Sequence, residues 1–248
     1  MITGIVCLLV VFLLGGGMSY STADEVVKTA IRSVDKMAKD YSSWTADWIE
    51  PWKAPEYLYT VAITQALSRK FSGQVYCEYN TRSCIRESQA ALKQGPFRKI
   101  QTAGSRPDIL LTDGRTVGKF RFCIEVKRSV YSVCNIIKDL ERCSRIISDT
   151  DNGTIDDAAV VFLAHRPFAR HSEPARHSKK VLNERINKTF IGEGKNFGKS
   201  FKALSRLKDQ GFKFKPFIGP ISANSYEDEL GENKTIHWTV GAVKISKD

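Results

Sequence analysis

The sequence holds six cysteines (Cys7, Cys77, Cys84, Cys123, Cys134 and Cys143) but no CxxC pair. Its four histidines (His165, His171, His177 and His237) form no grouping with zinc spacing. A structural zinc site is therefore not expected. Cys77 and Cys84 are near enough in sequence to be bridged, but nothing requires it, and reduced, mostly buried thiols are the simpler expectation. Internal repeats and low-complexity tracts are absent too, which excludes a repeat architecture and a biased linker. Acidic residues are scarce in one region. Between Arg166 and Lys215 fourteen Lys/Arg face four acids (Glu173, Glu184, Glu193 and Asp209), a net +10 within a chain whose total is +11. Such a one-sided field suits a polyanion, nucleic acid or an acidic lipid surface, although a solvated helical face would have the same composition.

Long apolar runs are also few, and the N-terminal one has no Lys or Arg ahead of it. Residues Ile2–Met18 are uncharged and mostly apolar. A secretory signal normally carries a positive start, which is missing, while Ser21-Thr22-Ala23 offers a small-residue cleavage site. A membrane anchor of this length is short but tolerable. The first cations (Lys28, Arg32, Lys36, Lys39) follow the run and would leave the body in the cytoplasm. A start at Met18 is the third reading. The anchor is favoured, with export after cleavage as the alternative.

With 248 residues and 42% apolar composition the chain can bury one sizeable core. The expected organisation is a leader or anchor at 1–18, an amphipathic helix and linker at 19–51, a core at 52–165, and a basic, mainly helical region at 166–248 that completes the domain. Val26, Val27, Ile31, Val34 and Met37 mark the first helix. A second runs from Pro55 to about Phe71, its proline and Glu56 suited to a first turn. Gln74–Tyr79 reads as a strand, Ser83–Lys93 as a helix, and Asp108–Thr112 and Phe120–Lys127 as strands joined through Asp113-Gly114-Arg115. Val130–Ser148 has a helical stripe (Val133, Ile136, Ile137, Leu140, Ile147), and Ala158–Ala164 is an apolar run expected for a strand covered on both faces. Helices at 174–190 and 199–207 and a strand at 236–245 follow. The order predicts a mixed α/β layer fold.

The chemistry concentrates in Pro107-Asp108 and Glu125-Val126-Lys127. Residues two apart on a strand share a face, so Glu125 and Lys127 point together, and Asp108 can approach Glu125 if the strands pair. Two carboxylates and a backbone carbonyl, that of Val126, offer hard oxygen ligands for Mg²⁺ (or Mn²⁺). Lys127 would orient water or offset charge in phosphodiester hydrolysis. The plain alternatives are a same-face ion pair for Glu125 and Lys127, turn capping for Asp108, and helix capping for Glu56.

This constellation resembles the PD-(D/E)XK nuclease superfamily, the restriction-endonuclease-like enzymes, over roughly Trp52–His165. The likeness lies in the two motifs, the preceding helix, the three-strand meander, the helix after the motif and the apolar strand. It implies a restriction-endonuclease-like core: a mixed central sheet flanked by helices, with Asp108, Glu125 and Lys127 catalytic and Asp108, Glu125 and Glu56 at the metal. It also implies phosphate contacts by Arg128 and by Lys138 and Arg142 of the following helix, whose basic stripe includes Arg145. No Gln stands in that helix as in RecB-like branches, so that branch is not indicated. Lys179, Lys180, Lys199 and Lys202 of the basic region are candidates for gripping a nucleic-acid backbone, DNA in preference to RNA. Many relatives dimerise to cut two strands, which makes a homodimer part of the expectation. The alternative function is a catalytically inactive, membrane-tethered module that binds nucleic acid or an anionic surface with the same fold. The anchor reading predicts that mass spectrometry of the mature protein finds an intact Met1; a mass beginning at Asp24 would mark export instead.

Overall fold

The computed structural model describes residues 23–45, 51–71, 74–80, 106–112, 120–130, 133–149, 155–165, 198–227 and 233–247, together with Lys180, Leu182 and Glu184. The leader, the expected helix at 83–93 and the Asp113-Gly114-Arg115 connection lie outside the described residues. No helix among the described residues is long and apolar enough to cross a membrane.

Six strands form one mixed sheet: β1 (Val75–Cys77), β2 (Ile109–Thr112), β3 (Phe120–Val130), β4 (Asp157–His165), β5 (Phe212–Glu227) and β6 (Asn233–Lys247), in the spatial order β1-β2-β3-β4-β6-β5. The first three make an antiparallel meander. β3 and β4 run parallel, which requires a crossover, and helix α3 (Ile137–Asp149) supplies it. β6 then pairs antiparallel with β4, and β5 with β6.

Strand alternation divides the core into two layers. Ile109, Leu111, Phe122, Ile124, Val126, Val161, Leu163, Trp238 and Val240 face helices α1 (Ala23–Trp44) and α2 (Glu56–Lys70). Leu110, Cys123, Val160, Phe162 and Ile245 face α3 and α4 (Gly198–Asp209). The apolar β4 is thus covered on both sides, as its continuous run predicts.

Three expectations need correction. The first helix is not part of a linker segment ahead of the core. Its stripe of Val26, Val27, Ala30, Ile31, Val34 and Ala38 is buried in the core, against the sheet and α2. Amphipathicity announced a buried face but not what would cover it. The C-terminal region is not mainly helical where described: one 12-residue helix is followed by strands of 16 and 15 residues. Pro216, Gly219 and Pro220 disguise β5, which tolerates them because it is an edge strand with a register shift between Ile218 and Ile221. Finally, the helix after the motif begins at Ile137, not Val130, because β3 continues to Val130 and a 3-10 turn (Val133–Asn135) intervenes.

Gly241 on β6 sits where Phe162 of β4 needs space: a Cβ there would stand 2.6 Å from the Phe162 ring and 3.1 Å from Ile218 Cδ1. Phe162 is fully buried, so its ring has little room to yield. Gly241→Ala is expected to cost about 1–3 kcal/mol, measured by urea denaturation; an unchanged midpoint would refute this packing.

Candidate metal and phosphodiester site

The pairing of Ile109 with Ile124 sets Asp108 opposite Glu125 on the face towards α3. Asp108 lies in the bend just before β2, not inside it, and is tied down by the Val126 amide, which donates to its Oδ2 at 2.7 Å. Glu125 is wholly buried, and Arg142 of α3 donates to its Oε2. The other oxygen, Oε1, is buried with no hydrogen-bond partner among the described residues.

A bulge shapes the next two residues. Regular pairing between β3 and β4 stops after Lys127 and resumes at Val130, and Ser129 adopts φ +58° within the shift. Within this shift the Arg128 amide donates to Glu56 Oε2 at 3.1 Å. Glu56 also receives Lys127 Nζ, 3.4 Å from its Oε1. The start of α2 is held in place for this. Arg128 Nη1 donates to the carbonyls of Lys53 and Ala54, and the Tyr59 hydroxyl donates to that of Pro51. Trp52 stacks on His165 at the end of β4, with ring centroids 3.8 Å apart, and Ser129 Oγ is hydrogen-bonded to His165 Nε2 at 3.0 Å.

A fourth carboxylate completes the cluster. Asp139, in the first turn of α3, is nearly buried; its Oδ1 lies 3.0 Å from Arg142 Nη2 and 3.8 Å from Lys127 Nζ. Sequence reading missed it. The signal was its i,i+3 relation to Arg142, hidden because Lys138, Arg142 and Arg145 were grouped by their shared sign. The structure divides that group: Lys138 is exposed, Arg142 lies within the site, and Arg145 is exposed 3.9 Å from Glu141. Arg142 holds carboxylates here, and the Arg128 guanidinium holds backbone carbonyls. Lys180 is exposed; Lys199 and Lys202 fall on α4, and Lys179 is outside the described residues.

The electrostatics follow from burial. Burial pushes the Glu125 carboxyl up to about 8, the neighbouring Asp108 adds to this, and the attraction of Arg142 only partly offsets it. Burial also raises Asp108, against the Val126 hydrogen bond, and raises Asp139, against Lys127. Burial alone would lower Lys127, but Asp139, Glu56, Asp108 and Glu125 outweigh it and hold the ammonium more firmly protonated than usual. Four carboxyl groups thus meet two cations, and with Glu125 held protonated below about pH 8 the repulsion among them is relieved by the proton. The orphaned Oε1 of Glu125 and the carboxylate of Asp108 are hard oxygen donors of the kind a divalent ion such as Mg²⁺ accepts.

This predicts a pH dependence. Without metal, folded Glu125 keeps its proton to about pH 8, whereas the unfolded chain loses it near 4.5. Unfolding between these values releases a proton, so stability falls as pH rises through the window. Urea denaturation in EDTA is expected to show this fall, and Glu125→Gln to flatten it in part, Asp108 and Asp139 contributing the remainder. Identical slopes for the two proteins would reject the assignment.

Comparisons with family models, with curated proteins and with solved structures find no match to this chain.

Proposed function

We propose that the protein is a metal-dependent nuclease of PD-(D/E)XK type that hydrolyses phosphodiester bonds, DNA being the favoured substrate. The observation that carries this reading is that Asp108, one residue before the Ile109–Ile124 pair, stands beside Glu125, with Lys127 on the same face of β3. An α/β/α layer with a mixed sheet supports it at the level of architecture.

Asp108 and Glu125 would hold Mg²⁺ (or Mn²⁺), with Glu56 and Asp139 close enough to Lys127 to share in the charge balance. A bound ion would supply Lewis acidity, lowering the pKa of its water and offsetting charge on the phosphate. The chain's own part is positional. Glu125 presents a dehydrated carboxylate, the Val126 amide fixes Asp108, and the Glu56–Asp139 pair keeps Lys127 charged and aimed along the site. A phosphate arriving there exchanges with these carboxylates for the ammonium, which then faces charge developing on the phosphoryl oxygens. Arg142 donates to Glu125 while no divalent ion is bound, and acts as its counter-ion once the carboxyl ionises. The same contact favours a second reading, a binding module in which the guanidinium permanently takes the place of the metal.

Cleavage of plasmid, linear and single-stranded DNA and of RNA by the full chain separates them. Mg²⁺-dependent nicking, abolished by EDTA and by Glu125→Ala and reduced about 10²–10³-fold by Lys127→Ala, with nucleic-acid binding retained, is the expected result. Salt-sensitive binding without cleavage of any substrate would select the module. Metal binding has its own readout: at pH 8, Mg²⁺ is expected to raise the Tm of the wild type and not of Glu125→Gln.

A further inference from the structure

Close to Glu125 lie two thiols that the phosphodiester chemistry does not use. Cys123 is two residues before Glu125 on β3, hence on the same face, and Cys143 follows Arg142 on α3. Both are wholly buried, and their side chains are hydrogen-bonded to each other. A carboxylate oxygen of Glu125 and the two sulfurs all lie within 4.8 Å of one another. Glu125 itself is wholly buried with Oε1 lacking a hydrogen bond among the described residues.

We propose that Cys123, Glu125 and Cys143 form a site for a thiophilic divalent ion, zinc or cadmium. Sulfur at about 2.3 Å from a tetrahedral zinc implies donors roughly 3.8 Å apart, so atoms already within 4.8 Å need only small side-chain movements. Two sulfurs and one oxygen select a soft or borderline ion and reject Mg²⁺, which demands an octahedron of oxygens. Three protein donors leave one position, for water or for the Asp108 carboxylate across the ladder from Glu125. On binding, each thiol releases its proton to solvent as its metal–sulfur bond forms, and the Glu125 carboxyl, where it is protonated, releases a third. At Glu125 the ion meets a carboxylate whose Oε2 accepts from Arg142 and whose Oε1 has no hydrogen-bond partner among the described residues, so binding does not require the guanidinium to leave. Glu125 thereby becomes a ligand common to a hard and a soft site, and an ion seated on the sulfurs withdraws it from the oxygen side. The soft site itself does not depend on the nuclease reading, because its ligands and its test involve no nucleic acid.

The test is a cadmium titration of the reduced full chain, followed by the ultraviolet sulfur-to-cadmium charge-transfer band. The other four cysteines (Cys7, Cys77, Cys84 and Cys134) are replaced by serine so that only Cys123 and Cys143 can contribute. The expected result is a band that saturates at one ion per chain, with the intensity of two sulfur ligands and a rise in Tm. It should disappear when Cys143→Ser is added, and the affinity should fall at least tenfold with Glu125→Gln. The variant that keeps Cys123 and Cys143 retains both buried sulfurs, so if circular dichroism shows it folded, its failure to develop a band would overturn the proposal. A band that survives Cys143→Ser would overturn it equally.

Discussion

Glu125 is buried directly across the ladder from Asp108, and the rest of the site is arranged around the cost of that placement. Two carboxylates on adjacent strands, removed from water, repel each other and resist ionisation. Within the chain the compensation comes from Arg142, reaching across from α3, and from Lys127, two residues along the same strand. Neither closes the account, because one Glu125 oxygen is left without a hydrogen bond and Asp139 and Glu56 bring further negative charge to the same place. A buried polar network left partly satisfied is unfavourable for stability alone. A cation bound there would relieve it.

The secondary structure around this point exists in forms that deliver those groups. β3 changes register directly after Lys127, and within the bulge the Arg128 amide is given to Glu56, 72 positions earlier in the chain. The start of α2 is fixed from three sides: the Arg128 guanidinium on the carbonyls of Lys53 and Ala54, the Tyr59 hydroxyl on Pro51, and Trp52 stacked on His165. α3 begins only after the 3-10 turn at Val133–Asn135, and this start sets Asp139 and Arg142 one turn apart towards the strands. A helix started at Val130 would have to forgo the last turn of β3 and the bulge with it.

The two cysteines place a second chemistry against the same carboxylate. Oxygen donors lie on one side of Glu125 and sulfurs among the apolar side chains under α3. Hard and soft ions therefore have different reasons to approach one residue, and the choice between them follows ligand type more than position.

Local periodicity was enough to locate α2, β2, β3 and β4, and to put Glu125 and Lys127 on one face, because strand alternation and helical spacing are properties of short segments. The two motifs likewise pointed to Asp108, Glu125 and Lys127, the resemblance added Glu56, and in the structure these four lie close to one another. What the chain could not disclose locally was decided by packing. α1 carries a visible apolar stripe, but only the assembled sheet shows that it covers β4, β5 and β6. β5 has no clean alternation because an edge strand need bury only part of itself. Asp139 and Arg142 belonged to an apparently solvated, basic helix face, and the direction in which they point depends on where α3 starts and how it lies on the sheet. The sequence by itself determined which residue types could bind a metal and which of them share a strand. Tertiary structure alone decided which charges are buried together, since burial and electrostatic pairing act between residues that the chain keeps far apart.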